Sequence, residues 1–388
     1  MDTRHETLGI AADDCRDGAA GHFVICRGTA RAELFPNEAF AEAMAQVLRD
    51  PLSLQYGPPQ AALKAQIVSL MAQRGVNCTP EQVFITTGAQ QGLDVLTRFL
   101  LNPGGTMLLE NIVYTGAQQV LAPFQPRIVT VPTDLATGMD VDAIEAHLAN
   151  GERPAYLYSI TEAHNPLGVS LSQAKRHQLI EVAQQYGVPI IEDDPYGFLM
   201  YDDQPLPPLR ALDEEHVIYL GSFSKILAPA LRLGWMVAPV DLIPKLTVVK
   251  EMGDLESSVL IQRAAATFLA SGHFPDHLAR LRSEYRLRRD TMLAAMAAHF
   301  PKEARWTRPR GGMFIWVELP EYMDTAALLD VAITQEKVAF IPGHAFGVEP
   351  GCGRNSLRLN FSNATPDKIE DGIARLGRVI RDEIGKSF

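Results

Sequence analysis

Seven short apolar runs recur through the middle of the chain: Val83 to Thr86, Thr106 to Leu109, Ile128 to Val131, Ala155 to Ile160, Val188 to Ile191, Val217 to Leu220 and Gly234 to Ala238. Each is too short for a helix and apolar on both alternating faces, so each reads as a strand covered on two sides. Segments with helical spacing lie between many of them. Strands that alternate with helices pack as a largely parallel sheet between helical layers, so the sequence predicts an α/β domain. The clearest helix spans Leu171 to Tyr186, with Ser170 as its expected N-cap, Gly187 as its stop, and Leu179, Ile180 and Val182 on one side.

Beyond Leu255 the pattern changes. Two long helical stretches run to Phe300, the second from Pro275, and the charged run Arg280 to Arg289 reads as a solvated face. Strands are expected over Gly312 to Glu318, Val338 to Ile341 and Ser356 to Asn360, then an amphipathic helix over Thr365 to Ile384, which together predict a smaller α+β lobe. Acidic residues outnumber basic ones by 46 to 35, a net charge of -11, which argues against a broad nucleic-acid or anionic-membrane surface. Cys15, Cys26, Cys78 and Cys352 form no C-x-x-C pair and no metal-ligand spacing, and read as reduced thiols of a cytoplasmic protein. Residues 1–22 lack the basic and apolar blocks of a leader, and no stretch has the length and apolarity to span a bilayer.

The chemistry concentrates after the sixth run. Gly221-Ser222-Phe223-Ser224-Lys225 is followed, seven residues past the lysine, by Arg232 in Leu231-Arg232-Leu233-Gly234-Trp235. A lysine amine forms a Schiff base with an aldehyde, and hydroxyls with a guanidinium hold a phosphate dianion, so this set suits pyridoxal phosphate. Lys64, Lys175, Lys245, Lys250, Lys337 and Lys368 fall in or beside amphipathic helical patterns and read as surface charges. Lys225 alone follows a buried strand within a serine-rich loop.

Other motifs are ambiguous one at a time. Thr86-Thr87-Gly88-Ala89-Gln90-Gln91 is a strand-turn-helix whose free N–H groups suit an anion, although a turn without ligand has the same pattern. Tyr114 follows the next strand and either faces a pyridine ring or simply packs. Asn165, in Asn165-Pro166-Leu167-Gly168, either donates to a phenolate oxygen or opens a turn. In Ile190-Ile191-Glu192-Asp193-Asp194-Pro195-Tyr196 a buried strand runs into adjacent carboxylates, costly unless they are paired, and a protonated pyridine nitrogen is such a partner. Strand neighbours point to opposite faces, so only one aspartate is expected to meet it, the alternative being a solvated acidic loop. Arg358, in an otherwise apolar strand, suits a carboxylate ligand or a structural ion pair. All these candidates are expected at carboxyl ends of strands, where open α/β sheets bind ligands.

In their order and spacing these motifs resemble the fold-type I, class I/II pyridoxal phosphate-dependent aminotransferases, especially the branch with 2-aminoadipate, kynurenine and aromatic amino-acid aminotransferases, from about Phe23 to the end. The resemblance implies a large cofactor-binding domain over 51–280 with a mainly parallel sheet flanked by helices. It adds a small α+β domain over 281–388 and an N-terminal segment, 1–50, that contributes to the small domain and the substrate pocket. It implies Lys225 as the Schiff-base lysine, Asp193 on the pyridine nitrogen, and Tyr196 and Asn165 on the phenolate oxygen. Gly88, Ala89, Gln90, Ser222, Ser224 and Arg232 are implied around the phosphate and Tyr114 on the ring. Arg358 is implied on the substrate α-carboxylate, with Gly28 and Asn165 beside the substrate. Tyr56, in Leu54-Gln55-Tyr56-Gly57, is implied to reach the phosphate of a partner subunit, hence a homodimer with shared active sites. Gly311-Gly312-Met313-Phe314 and Pro342-Gly343 match family segments as well.

Three segments depart from that pattern. Ala89 stands where relatives usually have serine, Arg27-Gly28-Thr29-Ala30 where they tend to have paired glycines and a proline, and Thr161-Glu162-Ala163-His164 lacks a common proline. His164 is either a polar handle toward the substrate or a structural histidine. The resulting expectation is an aminotransferase acting on an L-amino acid and a 2-oxo acid, with no metal, nucleic-acid or membrane partner. The alternative is an elimination and cyclisation enzyme acting on a hydroxylated arginine, motivated by the Arg27 segment and the acidic Glu6, Asp13 and Asp14. A cofactor-sensing regulator is the third reading, and the segment before Phe23 leaves no room for the DNA-binding domain it needs.

Overall fold

The computed structural model describes residues 23–24, 32–202 and 205–386. Seven strands form the central sheet: β1 (Val83–Thr86), β2 (Thr106–Glu110), β3 (Arg127–Val131), β4 (Leu157–Ser159), β5 (Ile190–Asp193), β6 (Val217–Ser222) and β7 (Gly234–Val237). Their spatial order is β1-β7-β6-β5-β4-β2-β3. β7 runs antiparallel to both neighbours, and every other pairing is parallel. Alternation along the strands assigns the two faces. Met107, Leu109, Tyr158, Ile191 and Ile218 join one apolar core, while Leu108, Leu157, Ile190 and Val217 join the other. Both faces are covered, which is why the strands read as continuous apolar runs.

Helices α1 (Asn37–Leu48), α2 (Ala61–Gln73) and α3 (Ala89–Leu100) precede α4 (Gln173–Tyr186). α4 begins later than expected. Its N-cap is Ser172, whose side chain accepts from Lys175 N, while Ser170 Oγ is engaged by Ala163 N at 3.1 Å. It does stop at Gly187, in the left-handed conformation.

After β7 come α5 (Ile243–Asp254), α6 (Val259–Ala270) and α7 (His273–His299). α1 packs on α6, and α8 (Pro366–Gly385) packs along α7. A second, antiparallel sheet has the order β8 (Arg305–Trp306), β9 (Phe314–Glu318), β11 (Ser356–Asn360), β10 (Ile341–Pro342). The strand expected over Val338 to Ile341 is two pieces in different sheets. Val338–Ala339 pairs with Phe23–Val24, Ile341–Pro342 pairs with β11, and the fully buried Phe340 lies between them.

The charged run on α7 is a solvated face only in part: Arg280 and Arg286 are exposed, while Arg288 and Arg289 are buried. Arg288 donates to Ser362 O at 2.6 Å, Arg289 to Pro309 O at 3.0 Å, Arg282 to Phe198 O at 2.8 Å and Arg280 to Leu34 O at 3.0 Å. These guanidiniums satisfy loop carbonyls that the sheets leave unpaired, and Arg288 and Arg289 are buried in doing so. Lys250 is likewise no surface charge: it is buried, 2.5 Å from Asp254. Among the described residues no helix is long and apolar enough to cross a membrane.

Candidate active site

The carboxyl ends of β1, β4, β5 and β6 meet along one edge of the sheet, beside a cavity of about 340 Å³. Lys225, Asp193 and Tyr196 line it, as do Ala89, Gln90, Tyr114, Asn165, Ser222, Ser224, Arg232 and Arg358. Two of these do not sit at carboxyl ends of strands. Arg232 precedes β7, whose antiparallel direction brings its amino end to this edge, and Arg358 comes from β11 in the other sheet. Tyr56 lies outside the cavity lining and is 75 % exposed. Gly28 lies outside the described residues, as do Arg27, Thr29, Ala30, Glu6, Asp13 and Asp14, the residues that motivated the cyclisation alternative.

At one end of the cavity stand buried acids and phenols. Asp193 and Asp194 point apart as strand alternation demands. Asp194 turns away from the cavity to Arg74 Nη2 at 3.1 Å, Gly197 N at 2.7 Å and Tyr219 Oη at 3.1 Å. Asp193 lines the cavity, and its Oδ2 accepts from Tyr158 Oη at 2.8 Å. Its Oδ1 is buried with no hydrogen-bond partner among the described residues. Burial pushes the Asp193 carboxyl up to about 7, aided by the charge of Asp194 and opposed by the Tyr158 hydroxyl and His164. A buried acceptor of this kind fits a protonated ring nitrogen. Burial also raises the Tyr114 and Tyr196 hydroxyls, so both stay protonated donors.

The opposite end is a set of anion donors. Gly88, at φ 83°, caps α3 and leaves the first N–H groups of the helix unpaired within it. A Cβ at Gly88 would come within 2.7 Å of Arg232 Nη2, so glycine lets the guanidinium lie over the turn. Arg232 reaches Ser224 Oγ at 3.5 Å, and Ser224 N donates to Ser222 Oγ at 3.1 Å. Gly116 serves the ring between the two ends. A Cβ there would meet Tyr114 Cε1 at 2.3 Å, so its absence lets the Tyr114 ring fold back, while Gln90 Nε2 donates to Gly116 O at 2.9 Å.

Burial, and then the positive charges of Arg358 and Arg232, bring the Lys225 amine down to about 8. Arg358 is buried, donates to Asn165 Oδ1 at 2.8 Å, and lies 4.1 Å and 4.8 Å from the ring centroids of Phe314 and Phe346. A guanidinium only donates, so it fixes the Asn165 amide with Oδ1 toward itself and leaves Nδ2 as the donor. Burial lowers Arg358 to about 10.

His164 is not a handle in the cavity. Its Nε2 is 3.2 Å from Glu110 Oε2, with both side chains buried. Other residues of the site stand outside the motifs of the sequence. Tyr158 sits on the same face as Ile160, an alternation visible in the run Ala155 to Ile160. Phe346, Arg74 and Arg176 belong to no motif, because each acts through a contact that only folding makes, as Arg74 does on Asp194. Arg176, for example, bonds Thr161 O, Leu171 O and Glu162 and so shapes the loop that carries Asn165.

A family model described as aminotransferase class I and II matches residues 28–376. The chain is 39% identical over 362 residues to a 2-aminoadipate transaminase of Thermus thermophilus, covering 91% of this chain and 89% of that protein. It is 37% identical to aromatic-amino-acid aminotransferase 1 of Thermococcus litoralis, covering 98% of this chain and 94% of that one. Among solved structures, the α-aminoadipate aminotransferase LysN of Thermus thermophilus, in complex with N-(5'-phosphopyridoxyl)-L-leucine, has a TM-score of 0.89 at 36% identity. That match covers 98% of this chain and 99% of LysN.

Proposed function

The chain belongs to the class I and II aminotransferases, with the fold-type I architecture and pyridoxal 5'-phosphate as cofactor, and from that premise we propose how its residues serve the reaction. The enzyme moves an α-amino group between an L-amino acid and a 2-oxo acid. When bound, the cofactor supplies a carbonyl that takes up the amine and a ring that withdraws electrons from the substrate Cα. The observation that carries the roles is a pair of oppositely shifted groups lining one cavity: an acid raised to about 7 whose Oδ1 has no hydrogen-bond partner among the described residues, and an amine lowered to about 8. Asp193 Oδ1 accepts from the ring N–H and keeps that nitrogen protonated. Lys225 Nζ would be the amine that holds the cofactor and, when free, would take or return the proton at the substrate Cα.

Tyr196 Oη and Asn165 Nδ2 donate to the phenolic oxygen, and Tyr114 covers the ring. The phosphate is received by the N–H groups of Gly88, Ala89 and Gln90, by Ser222 and Ser224, and by Arg232. Arg358, buried beside the Phe314 and Phe346 rings, would take the substrate α-carboxylate, a group its guanidinium can bind bidentately.

The names of the relatives make aromatic amino acids and 2-aminoadipate the first substrates to test. The proposal includes a homodimer. Tyr56 shares its exposed segment with Leu52 and Leu54, 69 % and 76 % exposed. That segment is tied to the turn between α5 and α6 through Gly57 N and Glu256 Oε2 at 3.1 Å, near Met252 and Leu255, 77 % and 63 % exposed. An apolar patch of this kind suits a second copy. A cytoplasmic setting accords with the free thiols Cys78 and Cys352. The division into 1–50, 51–280 and 281–388 belongs to the same proposal, with α7 running across the second boundary.

A half-reaction tests this reading. One amino acid without an acceptor is expected to bleach the yellow holoprotein and release one equivalent of 2-oxo acid per site, and added 2-oxo acid to restore the colour. Sustained turnover of a hydroxylated arginine without acceptor or bleaching would support cyclisation instead.

A further inference from the structure

We propose that Asp254 is a positioning residue for the cofactor phosphate, acting through Thr87 and Gln91 without touching the ligand. The proposal rests on the reading of the Gly88 turn as the phosphate site. Asp254 is the last residue of α5, where a carboxylate opposes the helix dipole, and it stands beside an anion site, where a second negative charge is unfavourable. Both costs are offset by the donors gathered on it. Lys250 Nζ lies 2.5 Å from Oδ1, while Oδ2 accepts from Thr87 Oγ1 at 2.9 Å and from Gln91 Nε2 at 2.5 Å. Gln91 closes the ring of contacts, its Oε1 accepting from Thr87 N at 2.7 Å. Ser257 Oγ is 2.9 Å from the Thr87 hydroxyl on the same side.

The N–H and the hydroxyl of Thr87 are therefore both tied, directly or through Gln91, to one carboxylate 167 residues further along the chain. Thr87 is the residue before Gly88, so holding its peptide unit sets the direction in which the N–H groups of Gly88, Ala89 and Gln90 point. That direction matters because Ala89 supplies no hydroxyl and the turn offers an anion only its backbone. Lys250 completes the device by neutralising Asp254, so that the brace does not repel the phosphate it helps to hold.

The test compares ligands with and without phosphate. Apoprotein prepared from the holoenzyme is titrated with pyridoxal 5'-phosphate and with pyridoxal, following intrinsic fluorescence. Asp254→Ala is expected to weaken the phosphorylated ligand about tenfold and pyridoxal less than about twofold. Thr87→Val is expected to weaken the phosphorylated ligand about threefold, and the double variant to fall short of the product of the two effects, as residues in one network do. Equal weakening of both ligands, or no change in either, would overturn the proposal. If Asp254→Ala does not fold, Thr87→Val decides by the same criterion. Failure of the wild-type protein to prefer pyridoxal 5'-phosphate over pyridoxal would instead remove the phosphate reading of the turn, whatever Asp254 does.

Discussion

At the ring end of the cavity Asp193, Tyr196, Asn165 and Arg358 are all buried, and Tyr158 and Asn165 each hold a single neighbour in one orientation. At the end proposed to take the phosphate Arg232 is exposed, Ser224, Ala89 and Gln90 are half-buried, and several donors stand close together. The ring end therefore stores unfavourable electrostatics, a carboxyl forced upward by burial, which only the right ligand relieves. The phosphate end stores little and gains affinity by adding contacts. Under the proposed roles, one end sets the chemistry and the other the retention of the cofactor.

Substitutions can break this contrast, and the ring end should give the largest effect. Asp193→Asn is expected to lower kcat about a thousandfold with the cofactor still bound, measured with occupancy checked by absorbance. Asp194→Asn should retain more activity while losing about 3 kcal/mol of stability in denaturant melts, because it strands the buried Arg74. Arg358→Ala should reduce kcat/KM for amino acids about a hundredfold without loss of colour. Arg232→Ala should act at the other end, weakening cofactor affinity about thirtyfold in a titration while kcat at saturating cofactor changes little.

The pH dependence of apoprotein stability sharpens the same contrast. The folded Asp193 carboxyl sits near 7 against 3.8 as its ordinary value, so between these the folded chain holds a proton the unfolded chain has lost. Its contribution to stability is present below about pH 4 and is lost as pH rises through 7. Asp193→Asn should flatten that slope in thermal melts of the apoprotein, whereas Arg232→Ala should leave it unchanged. The smallest expected effect is a gain: Ala89→Ser adds a hydroxyl to the phosphate end and should tighten cofactor binding about threefold.

Much of this site is legible in the chain because its parts follow local rules. β1 and β6 stand out as uninterrupted apolar runs, since helices cover them on both sides, and the residues that follow such strands fall at the ligand-binding edge. The alternation of Asp193 and Asp194 is a property of any strand. What escapes are contacts made over long distances in sequence. Arg288 and Arg289 look like a solvated stripe until Ser362 and Pro309 bring carbonyls to them. Lys250 resembles the exposed Lys245 until Asp254 is seen to carry Thr87 and Gln91. Strand direction escapes as well. Arg232 reaches the edge because β7 runs against its neighbours, and no periodicity records which way a strand runs.

In the proposed arrangement Lys225 joins the two ends, its amine meeting the cofactor carbonyl while Asp193 and Arg232 hold opposite sides of the same molecule. Borohydride reduction of the holoprotein, followed by proteolysis and peptide mapping, fixes the cofactor at whichever amine holds it. The expected result is a single phosphopyridoxyl group on the peptide containing Lys225. A label on Lys250, Lys175 or any other lysine would contradict the account.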